Sequence, residues 1–222
     1  SYTDVSGNMS GEEYTATLLT YTISGEVSDD GVAMAGVTIS FSGIGDAGSG
    51  ADGAYSIVVS WGYSGTATPA VEGYHFTPAS RTYTDVTADI AGENYEADIN
   101  TYVISGVVND GRAGLAGVDI TFDGLGVVTT DADGIYSQIV EYGYTGTATP
   151  SKEGYTFAPV NRIYTDVASD FANEDYTANI IMFTISGTIA NGEGTGIEDV
   201  TVSCDGAGSA LSDANGDYSI EV

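Results

Sequence analysis

The chain has 222 residues, and 4 Lys or Arg against 32 Asp or Glu give it a formal net charge of −28. Such a surface repels phosphate groups, so we expect no nucleic-acid partner. No apolar run reaches the ~18 residues of a membrane-spanning segment, so we expect no membrane insertion. One His and one Cys exclude an intrachain disulfide and a Cys/His zinc site, which needs several ligands.

The sequence repeats itself at a spacing of 81 residues. Tyr2–Val5 recurs as Tyr83–Val86 and as Tyr164–Val167, and Gly65–Pro69 recurs as Gly146–Pro150. This spacing is too long for a solenoid unit and suits a small domain with its own core. The period therefore predicts a tandem array of similar domains.

The same period sets the predicted domain boundaries. They are a closing segment of a partial repeat at 1–20, complete repeats at 21–101 and 102–182, and the first half of a third repeat at 183–222. No Pro- or Ser-rich linker separates the two complete repeats. Because short connections restrict hinge motion, we expect a stiff linear array.

Each repeat is predicted to consist of short strands. In the first complete copy these strands lie near 20–27, 35–42, 53–60, 63–69, 73–77, 82–86 and 93–99. Val37, Ile39 and Phe41 alternate with polar residues and share one face. Cys204 occupies the place of Phe41 in the third copy, which indicates a buried thiol that acts as a small hydrophobe.

Turn signals separate the predicted strands. Asp30-Gly31, Asp110-Gly111 and Asn191-Gly192 occupy equivalent places in the three copies. Such pairs supply the positive φ angles that tight hairpins need. Since no segment has apolar residues at helical spacing, the sequence predicts an all-β fold of antiparallel β-sandwich domains.

The order of these signals resembles the carboxypeptidase-regulatory-like repeats of extracellular proteins. Tyr21–Gly25, Gly36–Ile39 and Asp213–Ser219 carry the resemblance. The chain is also similar to the B-type repeats of bacterial surface adhesins and pilins. The resemblance implies tandem Ig-like or transthyretin-like β-sandwich domains in a linear rod, located outside a bacterial cell or on its surface.

B-type pilin repeats often carry an internal isopeptide bond between Lys and Asn or Asp. This chain has one Lys, Lys152. A bond that needs one Lys in each domain is therefore not expected in at least two of the three copies.

Two turns carry oxygen ligands at alternate positions. They comprise Asp131 and Asp133 in the second copy, and Asp213, Asn215 and Asp217 in the third. This spacing is found at the start of calcium loops, so calcium is the one candidate cofactor. The same residues suit a β-hairpin turn, and the first copy lacks the leading Asp, so a turn role is the favoured interpretation.

Further carboxylates cluster near the domain junctions. They are Glu12, Glu13, Glu93, Glu96, Asp98, Glu174 and Asp175. We interpret them as solvated acidic edges that discourage aggregation between strands, with junction calcium as the alternative.

Aromatic residues and the single His are further candidate site residues. We interpret His75 as a surface residue of a strand, since the next copy has Thr156 in its place. The aromatic set is Trp61, Tyr63, Tyr74, Tyr142, Tyr144 and Tyr155. These rings either pack into the sandwich core or form a platform on which sugars stack.

The leading functional hypothesis is a structural protein without enzymatic activity, an extracellular repeat array that forms a surface stalk or filament. Segment 1–20 repeats a closing strand that the third copy lacks, so copies of the chain could join head-to-tail by strand complementation. A window from a longer array is the other interpretation. The alternative function is a glycan-binding adhesin or an accessory module of a secreted enzyme, stabilised by calcium.

Overall fold

The computed structural model describes residues 3–222, so Ser1 and Tyr2 of the predicted closing segment lie outside the described residues. The chain divides into two compact units, one ending at Thr101 and the other beginning at Tyr102. Within residues 3–222, no helix has the length and apolar character that a membrane span requires. Residues 3–19 form no strand and are exposed.

The described part of the first unit contains nine strands. They are β1 (Thr20–Asp29), β2 (Val32–Ala33), β3 (Thr38–Phe41), β4 (Gly45–Gly48), β5 (Ala54–Ser60), β6 (Tyr63–Ala70), β7 (Tyr74–Thr77), β8 (Arg81–Val86) and β9 (Tyr95–Ile99). One sheet has the order β2-β1-β9-β7, with β5 also paired to β1, and the other has the order β4-β3-β6-β8. The pairs are antiparallel except for β1 with β9, which run parallel.

The core of this unit lies between the two sheets. Ile23 and Val27 of β1 face Ile39 and Phe41 of β3, and all four are almost completely buried. The burial alternates along β3, as period-2 patterning requires. Alternation therefore fixes which side of each strand enters the core.

The recurring Tyr-Thr-Asp-Val motif forms a local irregularity at the end of β8. Tyr83 and Val86 are both buried, although an ideal strand would place them on opposite faces. Asp85 adopts a left-handed φ of 50° between them, and its N–H donates to Ser64 Oγ at 2.9 Å. The β6–β8 register shifts at this point, so the motif encodes a bulge that turns Val86 back into the core.

The second complete repeat, which forms the first part of the second unit, has the same arrangement. Its strands are β10 (Thr101–Asn109), β11 (Asp119–Phe122), β12 (Gly126–Thr129), β13 (Ile135–Glu141), β14 (Tyr144–Ser151), β15 (Tyr155–Ala158), β16 (Arg162–Val167) and β17 (Tyr176–Ile180). The sheets have the orders β13-β10-β17-β15 and β12-β11-β14-β16. Again the first and last strands, β10 and β17, pair in parallel.

The third copy forms two separate two-stranded sheets. β18 (Thr184–Thr188) pairs with β21 (Asp217–Glu221), and β19 (Thr201–Cys204) pairs with β20 (Gly208–Leu211). Cys204 is half-buried, so the prediction of a buried thiol was wrong. The two-stranded sheets leave it less covered than Phe41 is in the first copy.

The predicted all-β architecture is confirmed. The seven predicted strands of the first copy correspond to β1, β3, β5, β6, β7, β8 and β9. β2 and β4 were not predicted, because both are short edge strands with little apolar alternation. The parallel pairing of β1 with β9 was also not predicted.

Candidate functional site

The predicted calcium residues of the second copy lie in the turn that connects β12 in one sheet to β13 in the other, so they form a turn but not the predicted β-hairpin. Asp131 Oδ1 accepts hydrogen bonds from the backbone N–H of Asp133 at 3.0 Å and of Ile135 at 2.9 Å. This geometry is an Asx turn, in which the side chain replaces a backbone acceptor. One carboxylate oxygen of Asp131 is therefore already engaged by the turn.

The third copy repeats this turn. Asp213 Oδ1 accepts the N–H of Asn215 at 2.8 Å and of Asp217 at 2.9 Å. Asp217 Oδ1 accepts the hydroxyl of Thr188 at 2.6 Å across the sheet. Among the described residues, no three His, Cys, Asp or Glu side chains form a group that could hold a metal ion. Calcium at these turns stays a prediction.

The other residues singled out by chemistry are scattered. His75 lies on β7, where Nδ1 is 3.1 Å from Asn100 Oδ1 and Nε2 is 3.7 Å from Asp98 Oδ2. Lys152 Nζ donates to the backbone carbonyls of Ala116 and Gly117 at 3.1 and 3.0 Å. His75 is exposed and Lys152 is half-buried, and the two side chains have separate partners.

The aromatic residues divide between the core and the surface. Tyr63, Tyr74, Tyr144 and Tyr155 pack against the hydrophobic cores of their units. The hydroxyl of Tyr63 donates to the carbonyl of Ser42 at 3.1 Å. Trp61 is different, because it lies in the turn after β5 and is 56% exposed. The structure therefore does not bring the predicted rings of the first unit into one surface platform.

The polar side chains that the structure does bring together form a cluster between the two sheets. In the first unit we define this inter-sheet clamp as Arg81, Glu93, Tyr55, Tyr83 and Tyr95. Arg81 Nη1 lies 3.4 Å from Glu93 Oε2, and the Tyr83 hydroxyl donates to the same oxygen at 3.0 Å. The Arg81 guanidinium also lies over the Tyr95 ring, 5.5 Å from its centroid.

Two further hydroxyls connect the clamp to the backbone. The Tyr55 hydroxyl donates to the backbone carbonyl of Glu93. The Tyr95 hydroxyl crosses to the opposite sheet and donates to the carbonyl of Ala67 at 3.1 Å. Since buried polar groups are stabilising only when they are paired, these bonds hold the segment before β9 against the core.

The second unit contains the same clamp. Arg162 Nη1 lies 3.0 Å from Glu174 Oε2, and the guanidinium lies 5.4 Å from the Tyr176 ring centroid. Tyr164 donates to Glu174 Oε2 at 3.1 Å, and Tyr136 donates to the Glu174 carbonyl. The prediction of solvated acidic edges was therefore wrong for Glu93 and Glu174, whose side chains are only 20% and 18% exposed.

Burial perturbs the titration of the clamp tyrosines. It raises the pKa of Tyr83, which the hydrogen bond to Glu93 raises further. Burial likewise raises the pKa of Tyr176 to about 12, although the nearby Arg162 cation opposes that shift. These hydroxyls therefore remain donors throughout the neutral range, as a structural tie requires.

The sequence contained a signal for this clamp. Arg81 and Arg162 are two of only 4 cationic residues in the chain, and they recur at the repeat spacing. Glu93 and Glu174 recur at the same spacing. Two recurring positions of opposite charge in so acidic a chain indicate a pair within each domain.

No family model matches the chain. The chain is similar to chitinase ChiA of Flavobacterium johnsoniae, with 33% identity over 145 residues, and the match covers 63% of this chain and 9% of the chitinase. The chain thus spans only a small part of that relative. The more specific carboxypeptidase-regulatory-like family therefore stays a prediction.

Among solved structures, the Bacillus anthracis TIE protein has a TM-score of 0.68 at 10% identity, covering 91% of this chain and 43% of that protein. BcpA, the major pilin subunit of Bacillus cereus, has a TM-score of 0.48 at 11% identity, covering 91% of this chain and 85% of the pilin. The likeness to the TIE protein confirms the predicted Ig-like all-β repeat fold.

Proposed function

We propose that the chain is a structural section of a bacterial extracellular protein, in which tandem β-sandwich domains form a surface stalk or filament. The observation that carries the proposal is the tandem recurrence of one complete sandwich with the same internal clamp. Only Asn100 separates β9 of the first sandwich from β10 of the next. The net charge of −28 keeps neighbouring arrays apart and soluble.

Surface exposure on intact cells tests this location. An antibody raised against the chain should label intact cells of the source bacterium, and external protease should remove the label. Labelling that requires permeabilised cells would contradict the proposal. A cytoplasmic marker protein serves as the control for cell integrity.

A finer form of the proposal is head-to-tail assembly by strand complementation. Ala16 and Leu18 repeat the β9 positions Ala97 and Ile99, yet both are exposed. Such exposed strand sequence supports pairing with another copy. Deletion of residues 1–20 should then abolish multimers in light scattering, and multimers that survive the deletion would refute this form.

The similarity to chitinase ChiA favours one second candidate, an accessory module of a secreted enzyme that acts on glycans. The exposed ring of Trp61 offers a face for sugar stacking. Under this candidate, the chain sediments with insoluble chitin, and Trp61→Ala weakens the binding. If a Trp61→Phe variant sediments with chitin as fully as the unchanged chain, the aromatic face at this position carries the binding.

A further inference from the structure

The two ends of each complete repeat lie in parallel strands that pair directly. β1, through which the chain enters the first repeat, pairs with β9, through which the chain leaves it. The registered pairs are Val27 with Tyr95, Ser28 with Glu96 and Asp29 with Ala97. Because the strands are parallel, the entry point and the exit point lie at opposite ends of this pairing.

We propose that this pairing is a mechanical shear clamp, which lets each repeat bear tension along the chain. Tension draws β1 backwards and β9 forwards along a common axis, so the bonds between them are loaded together. An antiparallel pair would place both ends on the same side, and its bonds would then break one after another. The inference rests on the proposed stalk function, in which the chain transmits force.

The pairing extends well beyond the two strands. The segment before β9 adds three backbone hydrogen bonds to β1: Ser24 N to Ile90 O at 2.9 Å, Ile90 N to Thr22 O at 2.9 Å and Glu93 N to Ser24 O at 3.1 Å. We define the terminal seam as the contact of β1 with residues 89–97. Sliding of β1 along the seam therefore has to break bonds along nearly its whole length.

Side chains supply acceptors where the backbone ladder is interrupted. The N–H of Thr22 donates to Asp89 Oδ1 at 2.8 Å, and that of Glu26 donates to Asn94 Oδ1 at 2.9 Å. Ser28 Oγ adds a bond of 2.6 Å to Glu96 Oε2. Side-chain hydrogen bonds thus continue the seam between the backbone bonds at residues 22–24 and the β1–β9 pairs at residues 27–29.

The second repeat has an equivalent seam. Val103 N donates to Asp170 Oδ1 at 2.8 Å and Val107 N donates to Asp175 Oδ1 at 2.8 Å. Its backbone bonds are Ser105 N to Phe171 O at 2.8 Å, Phe171 N to Val103 O at 2.9 Å and Glu174 N to Ser105 O at 3.0 Å. All three backbone bonds and two of the three side-chain bonds therefore recur in the second repeat, whereas the Ser28–Glu96 bond does not.

Two features keep the segment before β9 against β1. Gly25 lies so close to the backbone carbonyl of Glu93 that an added Cβ would collide with it. On its other side, the Glu93 carboxylate is held by Arg81 of the opposite sheet. The inter-sheet clamp therefore resists peeling of this segment, and shear along the seam remains the route to rupture.

Single-molecule force spectroscopy on the purified full chain tests the proposal. Pulled through its termini, each complete repeat should rupture as a separate event that releases roughly 26–29 nm of chain less the folded end-to-end distance, given ~3.3–3.6 Å for each of the ~80 residues between Thr20 and Ile99. Asn94→Ala, which removes one seam acceptor, should raise the unfolding rate of the first repeat at constant force about fivefold.

Ser64→Ala is the matched control. Ser64 Oγ also accepts a backbone N–H, that of Asp85, but it lies between β6 and β8 and outside the seam. This variant should leave the unfolding rate at constant force unchanged, because forced unfolding depends on the bonds broken at the barrier. Equal effects of the two variants would overturn the proposal.

A second pulling geometry gives an independent test. In a Cys204→Ser background, handles on Asp30→Cys and Asn100→Cys attach at the same end of the seam and load its bonds in sequence. The rupture force should then be markedly lower than in end-to-end pulling, and equal forces would overturn the shear clamp. Pulling on the purified chain tests only the mechanical role of the seam. A negative result would therefore overturn the shear clamp without bearing on the cell-surface location, which the antibody labelling tests.

Discussion

Removing the cation from the inter-sheet clamp should destabilise the first repeat by about 2 kcal/mol. In Arg81→Met the Glu93 carboxylate loses its partner at 3.4 Å, and the carbonyl of Asn94 loses a donor at 2.7 Å. Loss of one partner from a fully buried pair costs about 3–5 kcal/mol, and from an exposed pair about 0–1 kcal/mol. Side chains that are 29% and 20% exposed lie between these limits.

The net cost of about 2 kcal/mol already includes a compensating gain at Arg81. Its Nε is buried without a hydrogen-bond partner, and such an unsatisfied donor destabilises the fold by about 1 kcal/mol or more. The apolar side chain of Met removes that donor. The double variant Arg81→Met/Glu93→Gln should then be destabilised by less than the sum of the two single variants. The expected coupling free energy is about 1 kcal/mol.

Urea unfolding followed by Trp61 fluorescence measures this effect. Trp61 is the only Trp in the chain and lies in the first repeat, so its signal reports that repeat. Arg162→Met, the equivalent change in the second unit, should shift the circular dichroism transition but leave the Trp61 midpoint in place. A cost of Arg81→Met below about 0.5 kcal/mol, typical of a surface substitution, would refute the assignment of the clamp.

Three further changes have defined outcomes. Gly25→Ala should lower the free energy of unfolding by about 2–3 kcal/mol, because its Cβ meets the Glu93 carbonyl. Gly48→Ala is the control, since a Cβ there meets nothing within 4 Å, and it should change the free energy of unfolding by no more than about 0.5 kcal/mol. Urea titrations of the two variants compare these effects. The raised pKa of Tyr176 makes stability fall as pH rises from about 10 towards 12, by about 1.4 kcal/mol per pH unit for each tyrosine kept protonated, and a urea midpoint that stays constant over this range would contradict this. Chelation of calcium should leave the melting temperature unchanged, because Asp131 serves the turn, and a chelator-dependent drop that added calcium reverses would restore the metal interpretation.

Most strands could be predicted from the sequence because one face of each is buried. Ile39 and Phe41 alternate with polar residues, and the same alternation recurs in each copy. β4 could not be found in this way, because Gly45–Gly48 places only Ala47 in the core. Edge strands of this kind form through pairing with a neighbour and not through their own pattern.

The polar clamp and the parallel seam depend on contacts between distant parts of the chain. Arg81 meets Glu93 only after β8 and β9 have entered opposite sheets. Local pattern does not specify which strands pair or in which direction, so β1 beside β9 was not predicted. The recurrence of Arg and Glu at the repeat spacing would have indicated the pair, but not its partial burial.

The turn residues show the opposite case. Asp131 and Asp213 were predicted both as turn residues and as calcium ligands, because oxygen atoms at alternate positions serve either role. The structure engages one oxygen of each in an Asx turn. Short-range hydrogen bonding thus follows from the sequence, whereas metal binding needs further ligands that only the tertiary structure could supply.

Electron microscopy of negatively stained, purified native material tests the central claim most directly. The claim is that the tandem sandwiches act as a structural array outside the cell. It predicts thin stalks or filaments with a regular repeat set by whole domains. Dispersed short particles that bind a glycan array would contradict it and would favour the binding module.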